Sequence, residues 1–240
     1  MENLSTGYTN PVIKNLSFSL KPGNFLAVLG KNGSGKTTLL RAIGGTLRYT
    51  GKIQFCGREI IGMERREIAK VVGVVEQSIN LYPFRVYEVV CMGRIPYAGM
   101  FSFQQGDFAK VEEAMKKVGI WNLRNRLITE ISAGELQKTL IAKVLAQETK
   151  ILLLDEPTSH LDLESQHNTV QLIKQLCREG KIVIAVFHDL HLAGNASHVL
   201  FLGKDHLFGE RELLNAKNIA RYMGVSEEFA YKYLGVAYEF

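Results

Sequence analysis

The sequence predicts an α/β fold, a parallel sheet carrying a mostly helical insertion. Three observations point there. Short, wholly apolar runs each stop abruptly at a polar group, as strands buried on both faces do. Helix-length stretches alternate with several of these runs, which favours parallel strands joined by crossovers. Between Gln77 and Lys150 the strand-like runs thin out and helix-friendly stretches take over.

The first clear strand is Phe25–Leu29, which runs into Gly30, and a helix is expected over Thr37–Ile43. Val71–Val75 runs into Glu76-Gln77 and begins the next unit. A helical subdomain then spans residues 78–150, with its most regular helix at Asp107–Val118 and a second at Leu136–Ala146. Ile151–Leu154 stops at Asp155-Glu156, a helix is expected over Glu164–Cys177, and Ile182–Phe187 stops at His188-Asp189. The last stretch, residues 205–240, reads as an amphipathic extension with a short aromatic tail. In open parallel sheets ligands gather beyond the carboxyl ends of the strands. The four polar endpoints are therefore expected on one rim.

Composition narrows the class further. Hydrophobic residues make up 46% and charged residues 22% of 240 residues, ordinary globular usage that leaves ample apolar material for a core. Ile182–Phe187 is far shorter than the ~20 residues of a membrane-spanning helix. The first residues, Met1-Glu2-Asn3-Leu4-Ser5, lack the basic and apolar pattern of a secretory signal. Cys56, Cys91 and Cys177 are odd in number and far apart, which argues against a disulfide scaffold or a zinc site and fits a reducing compartment. A net charge of +5 permits an anionic partner but selects none.

The strongest motif is Gly30-Lys31-Asn32-Gly33-Ser34-Gly35-Lys36-Thr37, followed by Thr38, lying between a strand and a helix. Its glycines let consecutive backbone N–H groups turn inward around phosphate oxygens, and the helix start adds its positive end. Lys36 would reach the β- and γ-phosphates, and the Thr37 hydroxyl would ligate Mg²⁺. Asp155 and Glu156 put two adjacent carboxylates at a strand end. Successive strand residues point to opposite sides, so Asp155 can hold the metal while Glu156 deprotonates an attacking water. Ser132-Ala133-Gly134-Glu135 has the spacing of a capping box, and a capped helix start beside a glycine is also an anion site.

In this order, the phosphate loop, Gln77, Ser132–Glu135, Leu154-Asp155-Glu156-Pro157, Ser159-His160-Leu161-Asp162 and His188 resemble the ATP-binding subunit of an ABC transporter, from Tyr8 to about Leu202. The resemblance implies a P-loop NTPase core with a helical subdomain inserted after the Gln77 loop, ATP and Mg²⁺ as ligands, and ATP hydrolysis coupled to transport. Tyr8 resembles the aromatic that stacks on adenine, with an ordinary turn aromatic as the alternative. Gln77 resembles the residue that senses Mg²⁺ and the membrane partner. Ser132, Gly134 and Glu135 match the signature that binds the γ-phosphate of ATP held by the opposite subunit. Asp162 resembles the aspartate at the dimer seam, and His188 the histidine that contacts the γ-phosphate. One position departs from the family pattern: Ala133 stands where the signature has its first glycine, with Ile131 rather than leucine before it. His160, His167 and His191 are read as structural or surface residues.

Met92-Gly93-Arg94-Ile95-Pro96-Tyr97, with Ser159–Asp162, more narrowly resembles the importers of iron–siderophore, haem and cobalamin complexes. The implied partners are a second copy of the chain, an integral-membrane permease and, indirectly, a substrate-binding protein, at the cytoplasmic face of the membrane. Leu81–Tyr87 and Gly93–Tyr97 bring aromatics and arginines together, the residue types enriched at interfaces. The resemblance implies a groove there for a helix of the permease. An ABC-type ATPase of another transporter class is the first alternative, and two further classes remain open. A DNA-repair or chromosome ATPase would share the motifs, but no sustained heptad run and hence no long coiled coil is present, and nucleic acid is not an expected partner. A small-molecule kinase or GTPase would lack the Ser132–Glu135 element, and no Asn-Lys-x-Asp motif occurs.

Overall fold

A computed structural model describes residues 1–77, 82–98 and 103–237. Its centre is a six-stranded sheet built from β3 (Phe25–Leu29), β7 (Val72–Val75), β8 (Ile151–Leu154), β9 (Ile182–Val186), β10 (His198–Phe201) and β11 (Leu207–Glu210). The strand order is β11-β10-β3-β9-β8-β7. All neighbours are parallel except β11, which pairs antiparallel with β10. The apolar runs of the sequence thus become strands almost residue for residue. β3 and β8 are buried at every position, because both faces of the sheet are covered.

Alternate side chains feed two cores. Phe25, Ala27, Leu29, Leu152 and Leu154 point to one face, against Leu140, Ile141 and Val144 of α5 (Ala133–Ala146) and Ile173 and Leu176 of α6 (Leu163–Arg178). Leu26, Val28, Leu153 and Ile184 point to the other, against Leu39, Leu40 and Ile43 of α1 (Lys36–Ile43). That second face is closed by a three-stranded antiparallel sheet, β2-β1-β4, made from β1 (Glu2–Gly7), β2 (Pro11–Leu16) and β4 (Tyr49–Lys52). Its inward residues are Leu4, Ile13 and Leu16. No wholly apolar run of the sequence marks these strands. Their apolar positions are few and irregularly spaced, and β-bulges interrupt the pairing. A two-stranded hairpin, β5 (Gln54–Phe55) with β6 (Arg58–Glu59), and the short helix α2 (Arg65–Ala69) lead into β7.

Between β7 and β8 the described chain is helical: α3 (Val86–Cys91), a 3₁₀ turn over Met92–Tyr97, α4 (Gln105–Lys117), another short 3₁₀ turn at Trp121–Leu123, and α5. Val111 and Met115 of α4 and Val86, Val89 and Val90 of α3 pack on α5, which continues this core into that of the sheet. After β9 come α7 (Leu190–Ala193), β10 and β11, and then α8 (Ala216–Met223) and α9 (Glu227–Ala237). The stretch from residue 205 therefore contributes an edge strand to the central sheet before its helices begin. The aromatic tail, residues 238–240, lies outside the described residues.

The helical segment also corrects one sequence expectation. The sequence places Arg94 among expected interface residues, yet it is 6% exposed. Its Nε donates to Asp107 Oδ1 at 2.8 Å, and its Nη1 donates to Glu148 Oε2 at 2.9 Å and to the Ala146 carbonyl at 2.6 Å. The Tyr97 ring covers the guanidinium, 4.1 Å from Cζ to the ring centroid. Two carboxylates, a carbonyl and an aromatic face together satisfy a cation that a small lobe could not otherwise bury. Removing only the cation strands the buried Asp107, whereas Glu148 is partly exposed and keeps Lys110. Arg94→Met is therefore expected to destabilise the chain by ~3 kcal/mol or more, read as a lower urea midpoint at unchanged slope. An unchanged midpoint would show that the network contributes nothing.

Candidate functional site

Parallel pairing sets the carboxyl ends of β3, β7, β8 and β9 along one rim. The residues that follow these strands are the phosphate loop, Glu76-Gln77, Asp155-Glu156 and His188. Side-chain contacts join them. Gln77 Nε2 donates to Glu156 Oε2 at 2.5 Å, and His188 Nε2 meets Glu156 Oε1 at 2.5 Å. One carboxylate thus bridges the ends of β7 and β9. Glu156 holds a left-handed backbone, φ 51°, which costs energy for a non-glycine residue and turns the chain sharply before Pro157.

The loop between β3 and α1 is shaped for an anion. Gly30 has φ 151°, and a Cβ there would lie 2.6 Å from the Leu202 carbonyl oxygen and from Ser34 Oγ. Gly35 caps α1 with φ 100°, and no side chain caps the helix, so its first N–H groups are left for a ligand. Lys36 is buried, and its Nζ donates to the carbonyls of Gly30 at 2.9 Å and Lys31 at 3.1 Å. Burial pushes its ammonium down from the usual lysine value, against the pull of Glu156 and Asp155. Thr37, Gln77 and Asp155 line a cleft of ≈ 170 Å³ together with Arg41, Thr46 and Glu76. Thr38, on the other side of α1, is buried.

Asp155 is 6% exposed, and its Oδ1 has no hydrogen-bond partner among the described residues. Burial raises its carboxyl above the ordinary aspartate value, opposed by a hydrogen bond from Thr37. A buried carboxylate oxygen left open beside a threonine hydroxyl and a glutamine suits a hard cation with oxygen ligands. No group of three or more His, Cys, Asp and Glu side chains among the described residues forms a metal cage of its own.

Tyr8 is exposed in the turn between β1 and β2, and its hydroxyl accepts a hydrogen bond from Arg41. Arg41 is a site residue that the sequence reading missed. It stands four positions after Thr37 on α1, and that i, i+4 spacing was the signal that it shares the cleft face.

The signature residues form a second group. Ser132 caps α5: its Oγ accepts from the Glu135 N–H at 3.3 Å, and its own N–H donates to Glu135 Oε2 at 2.8 Å. That backbone hydrogen bond holds the Glu135 carboxyl below its usual range. Asp162 caps α6, accepting from the Ser165 N–H at 2.8 Å and hydroxyl at 2.9 Å. The two helix starts lie side by side, since a Cβ on Gly134 would meet Ser165 Oγ at 2.7 Å. Among the described residues no hydrogen bond joins Ser132, Gly134 or Glu135 to the loop of residues 30–38.

The expected interface stretch divides. Tyr82, Phe84 and Ile95 are exposed, and a groove of ≈ 430 Å³ lies against Ile95, Pro96, Val74, Lys143 and Gln147. Tyr87 instead packs edge-on to Trp121, and the Tyr97 hydroxyl donates to the Gln147 carbonyl at 3.0 Å. Those two, like Arg94, serve the helical core. Leu81 lies outside the described residues.

Comparison with known proteins agrees with this geometry. A family model described as ABC transporter matches residues 13–159. The hemin import ATP-binding protein HmuV of Deinococcus radiodurans is 39% identical over 203 residues, covering 82% of this chain and 77% of that protein. An uncharacterized ABC transporter ATP-binding protein, YvrA of Bacillus subtilis (strain 168), is also 39% identical, over 88% of this chain; the chain spans only 49% of that relative's length. Among solved structures, a metal-chelate type ABC transporter in an inward-facing conformation superposes with a TM-score of 0.82 at 32% identity, covering 92% of this chain and 86% of that one.

The buried Asp155 has a measurable cost. A pKa raised in the folded chain means that the native state binds the proton more tightly than the unfolded state. The associated stability is fully present below the ordinary aspartate value of 3.8 and is lost as pH rises through the raised native value. Asp155→Asn keeps a neutral side chain at every pH. Without nucleotide it is expected to melt higher than the parent chain near neutral pH, and the gap should close as pH falls below the ordinary aspartate range. A parent chain that melts higher at neutral pH would contradict the assignment of an unpaired buried carboxylate.

Proposed function

Because this chain belongs to the ABC transporter family, as the match over residues 13–159 shows, we propose that it is the ATP-hydrolysing motor subunit of an importer for a metal chelate. The observation that carries the hydrolytic part is the Glu156 carboxylate, held between Gln77 and His188 beside the phosphate loop. The likeness to a hemin import protein and to a metal-chelate type transporter supports the class of cargo.

The backbone of residues 30–38, with Lys36, takes the phosphates, and Tyr8 stacks on the base. Lys36 rests on two loop carbonyls, so phosphate oxygens replace partners that the lysine already has. Thr37, Asp155 and Gln77 would hold Mg²⁺. When bound, that ion neutralises phosphate charge. Glu156 takes the proton of the attacking water, and its two present partners keep its oxygens pointed at the reaction site. His188 and Gln77 then orient phosphate and water.

Ser132, Gly134, Glu135 and Asp162 stand apart from this constellation, where the N-terminus of α5 offers its positive end to a second anion. That separation supports a head-to-tail dimer of two chains, in which each ATP is covered by the partner's Ser132 region. Among the described residues no helix is long and apolar enough to cross a membrane. Transport therefore needs a permease, docked on the groove beside Ile95 and Pro96 at the cytoplasmic face of the membrane, with a substrate-binding protein delivering cargo to it.

Kinetics separate the roles. Lys36→Ala should lose ATP affinity and turnover together, because it removes a ground-state contact. Glu156→Gln should keep ATP affinity, lose turnover by ~10²-fold or more, and elute as an ATP-bound dimer. Near parental turnover in Glu156→Gln would remove the base assignment. For the sandwich, the native Cys56, Cys91 and Cys177 are first replaced and cysteines are placed at positions 34 and 132. ATP should then drive disulfide linkage between chains, whereas linkage only within a chain would refute a composite site.

A further inference from the structure

Helices α8 and α9 are not idle ornaments of the sheet edge. Tyr222, the penultimate residue of α8, is buried and stacks on Phe201 at the end of β10, 5.1 Å between ring centroids. Beyond α8 the chain turns at Gly224, and the Lys31 side chain of the phosphate loop lies against this turn: a Cβ on Gly224 would sit 2.1 Å from Lys31 Cε. Helix α9 then reaches the other side of the site. Its Ala230 is fully buried, and Tyr233 and Leu234 pack against the main core.

Tyr233 makes two contacts to the segment that follows His188. Its hydroxyl donates to Asp189 Oδ1 at 3.3 Å, and its ring lies against the His191 ring with 4.4 Å between centroids. The same Asp189 oxygen accepts from the His191 N–H at 2.8 Å, which caps α7 and fixes the turn from β9 into that helix. His188 is the residue immediately before Asp189, and its Nε2 meets the Glu156 carboxylate. A continuous path therefore runs from α9 through Asp189 and the His188 backbone to Glu156 and on to Gln77. His188 is exposed and has no other hydrogen-bond partner among the described residues, so its orientation depends on the turn that carries it.

We propose that Tyr233 is a positioning residue of the ATPase: its hydroxyl fixes the Asp189 carboxylate, and through it the turn that presents His188 to Glu156. The inference rests on the reading of His188 and Glu156 given above. The α8–α9 pair thereby braces both halves of the site, the phosphate loop at Lys31 and the His188 turn at Asp189. Because Tyr233 touches neither nucleotide nor the reacting water, its influence falls on turnover and leaves ground-state nucleotide binding alone.

The test uses the full chain. Tyr233→Phe keeps the ring against His191 and removes only the hydroxyl. Expected is a fall in kcat of about fivefold to tenfold, with the Kd for a non-hydrolysable ATP analogue in Mg²⁺ within twofold of the parent and the melting temperature unchanged. Asp189→Asn keeps an oxygen to accept both hydrogen bonds and should retain most turnover, whereas Asp189→Ala should not. The double variant Tyr233→Phe/Asp189→Ala should be no slower than Asp189→Ala alone, because both act through one turn. A kcat for Tyr233→Phe within twofold of the parent overturns the proposal. So do losses that multiply in the double variant, or a kcat loss accompanied by weaker binding and a lower melting temperature. Failure of the underlying reading is distinguishable: there Glu156→Gln and His188→Ala would themselves keep parental turnover.

Discussion

The parallel pairing of β3, β9, β8 and β7 is the constraint on which the rest of the molecule depends. Parallel strands need covered faces, because their connections run over the sheet. Here one face takes α5 and α6, and the other takes α1 and the three-stranded sheet. Burial on both sides requires the strands to be apolar throughout, so polar chemistry is pushed to their ends. Since all four strands point the same way, the ends coincide. The same requirement that fills the core therefore gathers the phosphate loop, Gln77, Asp155, Glu156 and His188 on one rim.

The rim is internally satisfied at most positions. Lys36 rests on carbonyls, and Glu156 is held by Gln77 and His188. Asp155 and Ser34 are the exceptions, each with a buried oxygen lacking a partner among the described residues. Burial also works against the charge of Asp155, as it does against that of Lys36. At the rim, strain and unpaired polarity fall where ligands would relieve them, while β3, β7, β8 and β9 carry neither. The left-handed backbone of Glu156 belongs to the same pattern.

Much of this was legible in the residues. Wholly apolar runs gave the boundaries of β3 and β8 without error and those of β7 and β9 within one residue, because burial on two faces leaves no other pattern. The Ser132–Glu135 spacing gave the cap of α5, since capping is a local interaction. What escaped depends on partners distant in sequence. β1 and β2 become strands only through a bulged pairing, and Arg94 becomes a core residue only because Asp107, Ala146 and Glu148 converge on it. Tyr233 carries no local signal at all. Its significance arises from a contact 44 residues away in the chain.

The contacts of Lys36 have a consequence for selectivity. Its ammonium already holds two carbonyl oxygens, so an incoming anion gains only the difference between old and new hydrogen bonds. Orthophosphate, with one small tetrahedron, offers the lysine little beyond what it has. A nucleotide tail adds the uncapped N–H groups of α1 and the rest of the loop in the same event. The lysine's internal ties therefore act as a threshold. They weight recognition toward an anion long enough to engage the helix start and the rest of the loop at once.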